Sequence, residues 1–248
     1  MSGSRRISAG VRASTLSFFR EPLNVALLLI LPALSIQIYG VSLAQFPKLG
    51  LFDTTRPLET TGRITGAVFA TGALAGVLGL FQMISARNAD RRLSICGFRS
   101  SKLVGSRFAT VLVVSIVINA VAAVTLGILL STPVGAPVIA FAGLVLAGVV
   151  YGLLGLLVGT VLPRELEGSL VLVVLADMDN VFASGLFDID ESITRFAPLS
   201  HPHEIVTQAV VDGTLATDHV LPALAHVLVF ALLGVGVYSF TVANGGEA

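Results

Sequence analysis

Apolar residues in this chain come in long unbroken runs, not in the spaced stripe of a surface helix or the alternation of a strand. A bilayer core of about 30 Å needs roughly 20 mostly apolar helical residues to cross it. Six stretches meet that requirement, at about 22–44, 64–86, 108–130, 137–162, 166–187 and 220–242. Runs of this length without alternation exclude barrel strands, which leaves the helix as the spanning form. The pattern predicts an all-α integral membrane protein with six spans in a single domain over residues 1–248. Two shorter elements flank them: an amphipathic helix over about 4–20, and a short outer helix between spans five and six.

Composition agrees with the pattern. Of 248 residues 54% are hydrophobic and 12% charged, more apolar surface than a soluble domain can hide. The formal net charge of zero carries little information, because the charges are unevenly placed. Before the first span lie Arg5, Arg6, Arg12 and Arg20; between the second and third lie Arg87, Arg91, Arg92, Arg99, Lys102 and Arg107; between the fourth and fifth lies Arg164. The opposite side has only Lys48, Arg56, Arg63 and Arg195. Positive charge collects on the cytoplasmic side, so both termini are expected there, in the plasma membrane. Cys96 is the only cysteine, which excludes an intramolecular disulfide and a multi-cysteine metal site. The N-terminal stretch is too polar and arginine-rich for a secretory signal. No internal repeat is visible, which argues against a carrier built on inverted repeats.

Three segments stand out. In the first, Ile7, Val11 and Phe18 share a face with Leu16 and Phe19 beside it, while Arg5 and Arg12 lie on another, as in a helix lying in the inner interface before a turn at Pro22. In the second, residues 87–107 interleave basic side chains with Leu93, Ile95, Phe98 and Leu103, with Gly97 placed to break a helix. A loop selected for topology alone needs no apolar residues between its arginines; the mixture suits docking of another protein, and attraction to anionic lipid is the simpler alternative.

The third is the fifth run, interrupted by Asp177, Asp179 and Asn180. A carboxylate at mid-bilayer costs about 2.5 to 3.5 kcal/mol, so these groups should face protein or water. At 100° per residue Asp177 and Asn180 project within about 60° of each other and Asp179 points elsewhere. They lie either on a transport pathway or dimer seam, or in an outward-facing vestibule of a span that sits lower.

Glycines four apart, Gly72 and Gly76, Gly148 and Gly152, Gly155 and Gly159, predict close helix approach. In His201-Pro202-His203-Glu204 the spacing is not a ligand set, and Pro202 fits the first position of a helix that Gly213 would end, with Ile205, Val206, Ala209 and Val210 on its apolar side. The reading there is a helix, with no metal. No nucleophile elbow, zinc-protease motif or dinucleotide fingerprint is present, so covalent chemistry has no visible seat.

Taken in order, several of these features resemble the type-2 exporter permeases of ATP-binding-cassette (ABC) transporters. They are Arg20-Glu21-Pro22 at the end of an amphipathic elbow, Pro32 in the first span, Arg91-Arg92-Leu93 followed by Gly97 and Arg107, then NVFASGLF and FAPLSHPHEIVTQAVVDG before the last span. The resemblance covers essentially the whole chain through order and spacing. It implies two permease subunits, paired as a homodimer or with a related chain, with two cytoplasmic ATPase subunits docked on elbow and coupling loop. The elbow would be represented by Arg5, Arg12, Phe18 and Phe19, and the coupling contacts by Arg91, Arg92, Leu93, Gly97, Phe98, Arg99 and Lys102. The chain has no G-x-x-x-x-G-K-[ST] motif, so ATP and Mg would bind the partner and no cofactor this chain; it would not itself be an enzyme. Lipid is the other expected partner, and nucleic acid is not. The alternatives are an ion-gradient carrier using Asp177 and Asp179, and a non-transporting membrane protein.

Overall fold

The computed structural model describes residues 16, 20, 22–45, 57–95, 100–162, 164–185 and 194–244, with backbone alone at 23–24, 87–95, 100–104 and 241–244. The described residues form seven helices: α1 (Pro22–Gln45), α2 (Leu58–Ile95), α3 (Ser100–Leu129), α4 (Pro137–Val161), α5 (Glu165–Ala183), α6 (Ser200–Val211) and α7 (Thr217–Asn244). Five of them, all but α5 and α6, are long and apolar enough to cross a membrane. The protein is an all-helical, multi-pass membrane protein.

α2 is the axis of the bundle. Over its apolar stretch 78% is buried, against 6% for α7 and 28% for α1, so α2 sits among its neighbours while α7 and α1 lie at the edge. Small residues allow this. A methyl group at Gly155 of α4 would overlap the Gly76 carbonyl oxygen of α2, and one at Gly79 would overlap the Gly152 carbonyl. Added at Gly159, it would lie 2.8 Å from the Leu80 oxygen. On the other flank, Gly66 faces the backbone of Ser35 and Ile36, with a would-be methyl 2.7 Å from the Ile36 Cα. Lipid gives helices little hydrophobic reason to associate, so backbone approach of this kind is what dispersion attraction between them requires. Gly76, Gly155 and Gly159 therefore act as the four-residue spacing predicts. Gly79, outside that spacing, joins them, and Gly72, Gly148 and Gly152 instead accommodate the side chains of Leu199 and Tyr151, of Asn119, and of Val111.

α2 differs from its predicted bounds at both ends. It begins at Leu58, six residues before the apolar run, because Thr61 and Thr65 bury their hydroxyls by donating to the carbonyls four residues back, Pro57 at 3.4 Å and Thr61 at 2.8 Å. Arg63, expected in a loop, stands on this helix and donates to Glu59 and to the Leu129 carbonyl at the end of α3. At the other end the helix runs past Ala86 to Ile95, and α3 begins at Ser100 instead of 108. From Ala86 to Leu93 no glycine or proline intervenes, so a helix already nucleated simply propagates. Arg91, Arg92 and Leu93 are thus on helical backbone, as is Lys102; Gly97, Phe98 and Arg99 lie outside the described residues, as do Arg5, Arg12, Phe18 and Phe19.

α6 lies along the half of the bundle opposite the arginine-bearing end of α2, running from the middle of α2 and α4 to the start of α4, where Gly135 and Ala136 donate to the carbonyls of Val210 and Ala209. Leu199, its N-cap, packs on Gly72 and Tyr151, and Val206 packs on Gly143. The predicted apolar side is buried at Ile205, Val206, Ala209 and Val210. Gly213, at φ +67°, ends the helix as expected. Pro202 is its third residue, not its first, which is also tolerated because the first four N–H groups of a helix have no intrahelical acceptor.

Candidate functional site

α5 is too charged to count among the five apolar spans, with Glu165 and Glu167 in its first turn and Asp177 and Asp179 in its last two. Beyond the first turn, where Glu167 is exposed, one face is exposed and apolar: Leu170, Val174 and Met178 continue the four-residue spacing from Leu166. The other face carries the polar residues into the bundle. Each is met by a different neighbouring helix.

Asp177, half-buried, accepts from the Tyr39 hydroxyl of α1. Asp179, 4% exposed, places Oδ2 2.7 Å from the Tyr151 hydroxyl of α4 and 2.9 Å from the Leu199 N–H. The second contact matters twice, because the Leu199 N–H belongs to the start of α6, where unpaired amides and the helix dipole favour a negative group. Tyr151 is fully buried, and its oxygen also lies 3.2 Å from the Leu175 carbonyl, which can only share the same hydrogen. Asn180, fully buried, donates from Nδ2 to the Thr65 carbonyl of α2 at 2.9 Å. The predicted wheel angles hold: Asp177 and Asn180 turn toward the α1–α2 pair and Asp179 toward α4.

From Thr65 the network continues into α6. Its hydroxyl donates to the Thr61 carbonyl, so it must accept from His203 Nε2 at 3.1 Å. That fixes the hydrogen on Nε2, which leaves Nδ1 of a neutral His203 to accept from Thr207 at 3.4 Å. Hydrogen bonds thus connect α5 to α1, α2, α4 and α6 within one layer.

Two atoms of this layer are unusual. Asp179 Oδ1 and Asn180 Oδ1 are buried without a hydrogen-bond partner among the described residues. A bare buried acceptor costs about 1 to 3 kcal/mol, more when charged, and such a site holds a proton, a cation or a water more readily than nothing. Burial rules out an open vestibule at Asp179 and Asn180. Asp177, Asp179 and Asn180 all find their described partners within this chain. The residues that sequence reasoning missed are their partners: Tyr39, Tyr151, Thr65 and, on α6, His203 as part of a network. Each is unremarkable in its own segment, and only a tyrosine inside an otherwise aliphatic run, as at Tyr151, hints at a buried acceptor nearby.

Elsewhere the bundle offers an apolar cavity of about 150 Å³ lined by Met83, Phe108, Leu153, Leu156, Phe230 and Val235, without convergent polar groups. Among the described residues no cluster of three or more His, Cys, Asp or Glu is arranged to hold a metal ion. Comparison with protein-family models and with curated proteins finds no match to this sequence.

Proposed function

We propose that this chain is the membrane-embedded permease subunit of an ABC exporter, driven by ATP hydrolysed on separate partner subunits. The observation that carries the reading is the length of α2. At 1.5 Å per residue its 38 residues span about 57 Å, well beyond a hydrocarbon core of about 30 Å. The excess lies at the end bearing Arg91 and Arg92. A continuous helix that is both the buried axis of the bundle and the support for a basic segment can transmit a push from outside the membrane to the helices packed on it, α1, α3, α4, α5 and α6. A flexible loop cannot.

In this reading α5 is the remaining span: its 19 residues reach about 28 Å, its apolar face meets lipid and its polar face is locked to α1, α2, α4 and α6. Six spans put both termini on the arginine-rich side, the cytoplasm of a plasma membrane. The segment up to Arg20 forms the elbow, two permease subunits pair, and ATPase subunits grip the elbow and the α2–α3 tip through Arg91, Arg92, Leu93, Gly97, Phe98, Arg99 and Lys102. Closure of the ATPases on ATP moves α2 as a lever. The test is isolation of the tagged chain from its native membranes in mild detergent: an ATPase subunit copurifies, and Arg91→Glu with Arg92→Glu reduces its yield. Recovery of the intact chain without any ATPase overturns the reading.

One observation favours a second reading, an ion-driven carrier: the bare Oδ1 atoms of Asp179 and Asn180. Export that survives ATP depletion, collapses with the proton or sodium gradient and is lost in Asp179→Asn would select it. Export that needs ATP and persists in Asp179→Asn would leave Asp179 as a structural tie.

A further inference from the structure

Outside the Asp179 layer, three of the chain's four histidines meet where the start of α6 faces the first turns of α7. His201 is the second residue of α6; His219 and His226 are seven residues apart on α7, two turns along one face. The His201 ring lies 5.3 Å from that of His219 and 5.6 Å from that of His226, centroid to centroid. The closest approach is between two ring nitrogens, Nδ1 of His201 and Nδ1 of His219, at 3.0 Å.

Hydrogen placement follows from the neighbours. His201 Nε2 lies 3.2 Å from the Arg195 carbonyl, which can only accept, so Nε2 carries a hydrogen. In neutral His201, Nδ1 is then a lone pair, and His219 must donate to it from Nδ1. A first added proton can be absorbed: His201 takes it at Nδ1, and His219 changes tautomer to accept. A second cannot. With both rings charged, two N–H groups would confront each other at 3.0 Å with no acceptor between them.

Among the described residues no carboxylate bonds either ring, and Asp218, beside His219 in the first turn of α7, accepts from Thr217. The charges that bear on His201 are those of His219, His226 and Arg195, all cationic when charged. From α5 and α4 the groups turned toward the start of α6 are Asp179 and Tyr151, already bound to each other; α2 presents Thr65, which bonds His203; Glu204 of α6 accepts from Gln208. Burial and the two neighbouring histidines hold the His201 imidazole below its ordinary value.

We propose that His201 and His219 form a proton-operated latch between α6 and α7, closed at neutral pH and opened when acidification of that face protonates both rings. α6 packs along the bundle against Gly72, Gly143 and Tyr151, so the latch controls how firmly this helix is held to the last span. This is a regulatory device independent of what drives the protein.

The experiment uses the full chain in lipid nanodiscs, with Cys96→Ser and nitroxide labels at Phe196→Cys and Leu224→Cys, both exposed positions on either side of the pair. Lowering the pH from 7.5 to 5.0 shifts the inter-label distances to longer values, with a midpoint below about 6.5. In His219→Gln, whose amide can donate or accept, the distances stay at their neutral-pH values throughout; His201→Gln serves if the first variant does not fold. An unchanged wild-type distribution, or the same shift in the folded variants, overturns the proposal. A pH response that needs added zinc and disappears with a chelator overturns it in favour of a metal site.

Discussion

The hydroxyl of Tyr151 on α4 lies 2.7 Å from Oδ2 of Asp179 on α5, with both side chains closed off from solvent. The residues are 28 apart in sequence, and with the Leu199 N–H they join three helices at one carboxylate. Tyr151→Phe keeps the ring and removes one of two donors. The variant should lose about 1 to 3 kcal/mol of stability, read as a lower thermal unfolding midpoint of the purified chain in detergent. Tyr39→Phe, which frees only the half-buried Asp177, should lose less.

The glycine contacts predict opposite results for the same substitution. Gly155→Ala drives a methyl group into the Gly76 carbonyl, a backbone atom that cannot rotate away, and should destabilise by about 1 to 3 kcal/mol. Gly127→Ala on α3 meets nothing within 4 Å and replaces a poor helix former by the best one, so its unfolding midpoint should stay level or rise. Thermal unfolding of the two variants side by side checks both.

Hydropathy made the helices legible because a bilayer imposes length and apolarity on each span separately. Everything that depends on two segments together was harder to read. The continuation of α2 through Arg91 to Ile95 escapes an apolar-run argument, since helix propagation follows backbone propensity and the bilayer boundary follows side-chain polarity. Its early start rests on Thr61 and Thr65 satisfying their hydroxyls within the helix. Asp177, Asp179 and Asn180 were conspicuous as polar residues in oil, and their wheel angles gave the right directions, but nothing local names Tyr39, Tyr151 or Thr65 as partners. His219 and His226 carried a faint signal, a seven-residue spacing on one face, that gains meaning only when α6 brings His201 against it.

Acidification should destabilise the protein through His201. Burial first, then His219, lowers its proton affinity in the folded state, so on acidification the unfolded chain takes up a proton that the folded chain resists. Stability is therefore complete above the ordinary imidazole value of about 6.5 and falls as pH is lowered through it. The thermal midpoint should drop between pH 7.5 and 5.5, and the slope should flatten in His201→Gln.

In the function proposed above, an ATP-hydrolysing partner holds the helical end of α2. The most direct measurement places a photo-crosslinking amino acid at position 92 in living cells and identifies the adduct by mass spectrometry. The expected result is a covalent product with a protein carrying a G-x-x-x-x-G-K-[ST] nucleotide loop, reduced when Arg91 is changed to Glu. Adducts confined to lipid or to this chain, in cells where the protein is assembled and exporting, would contradict it.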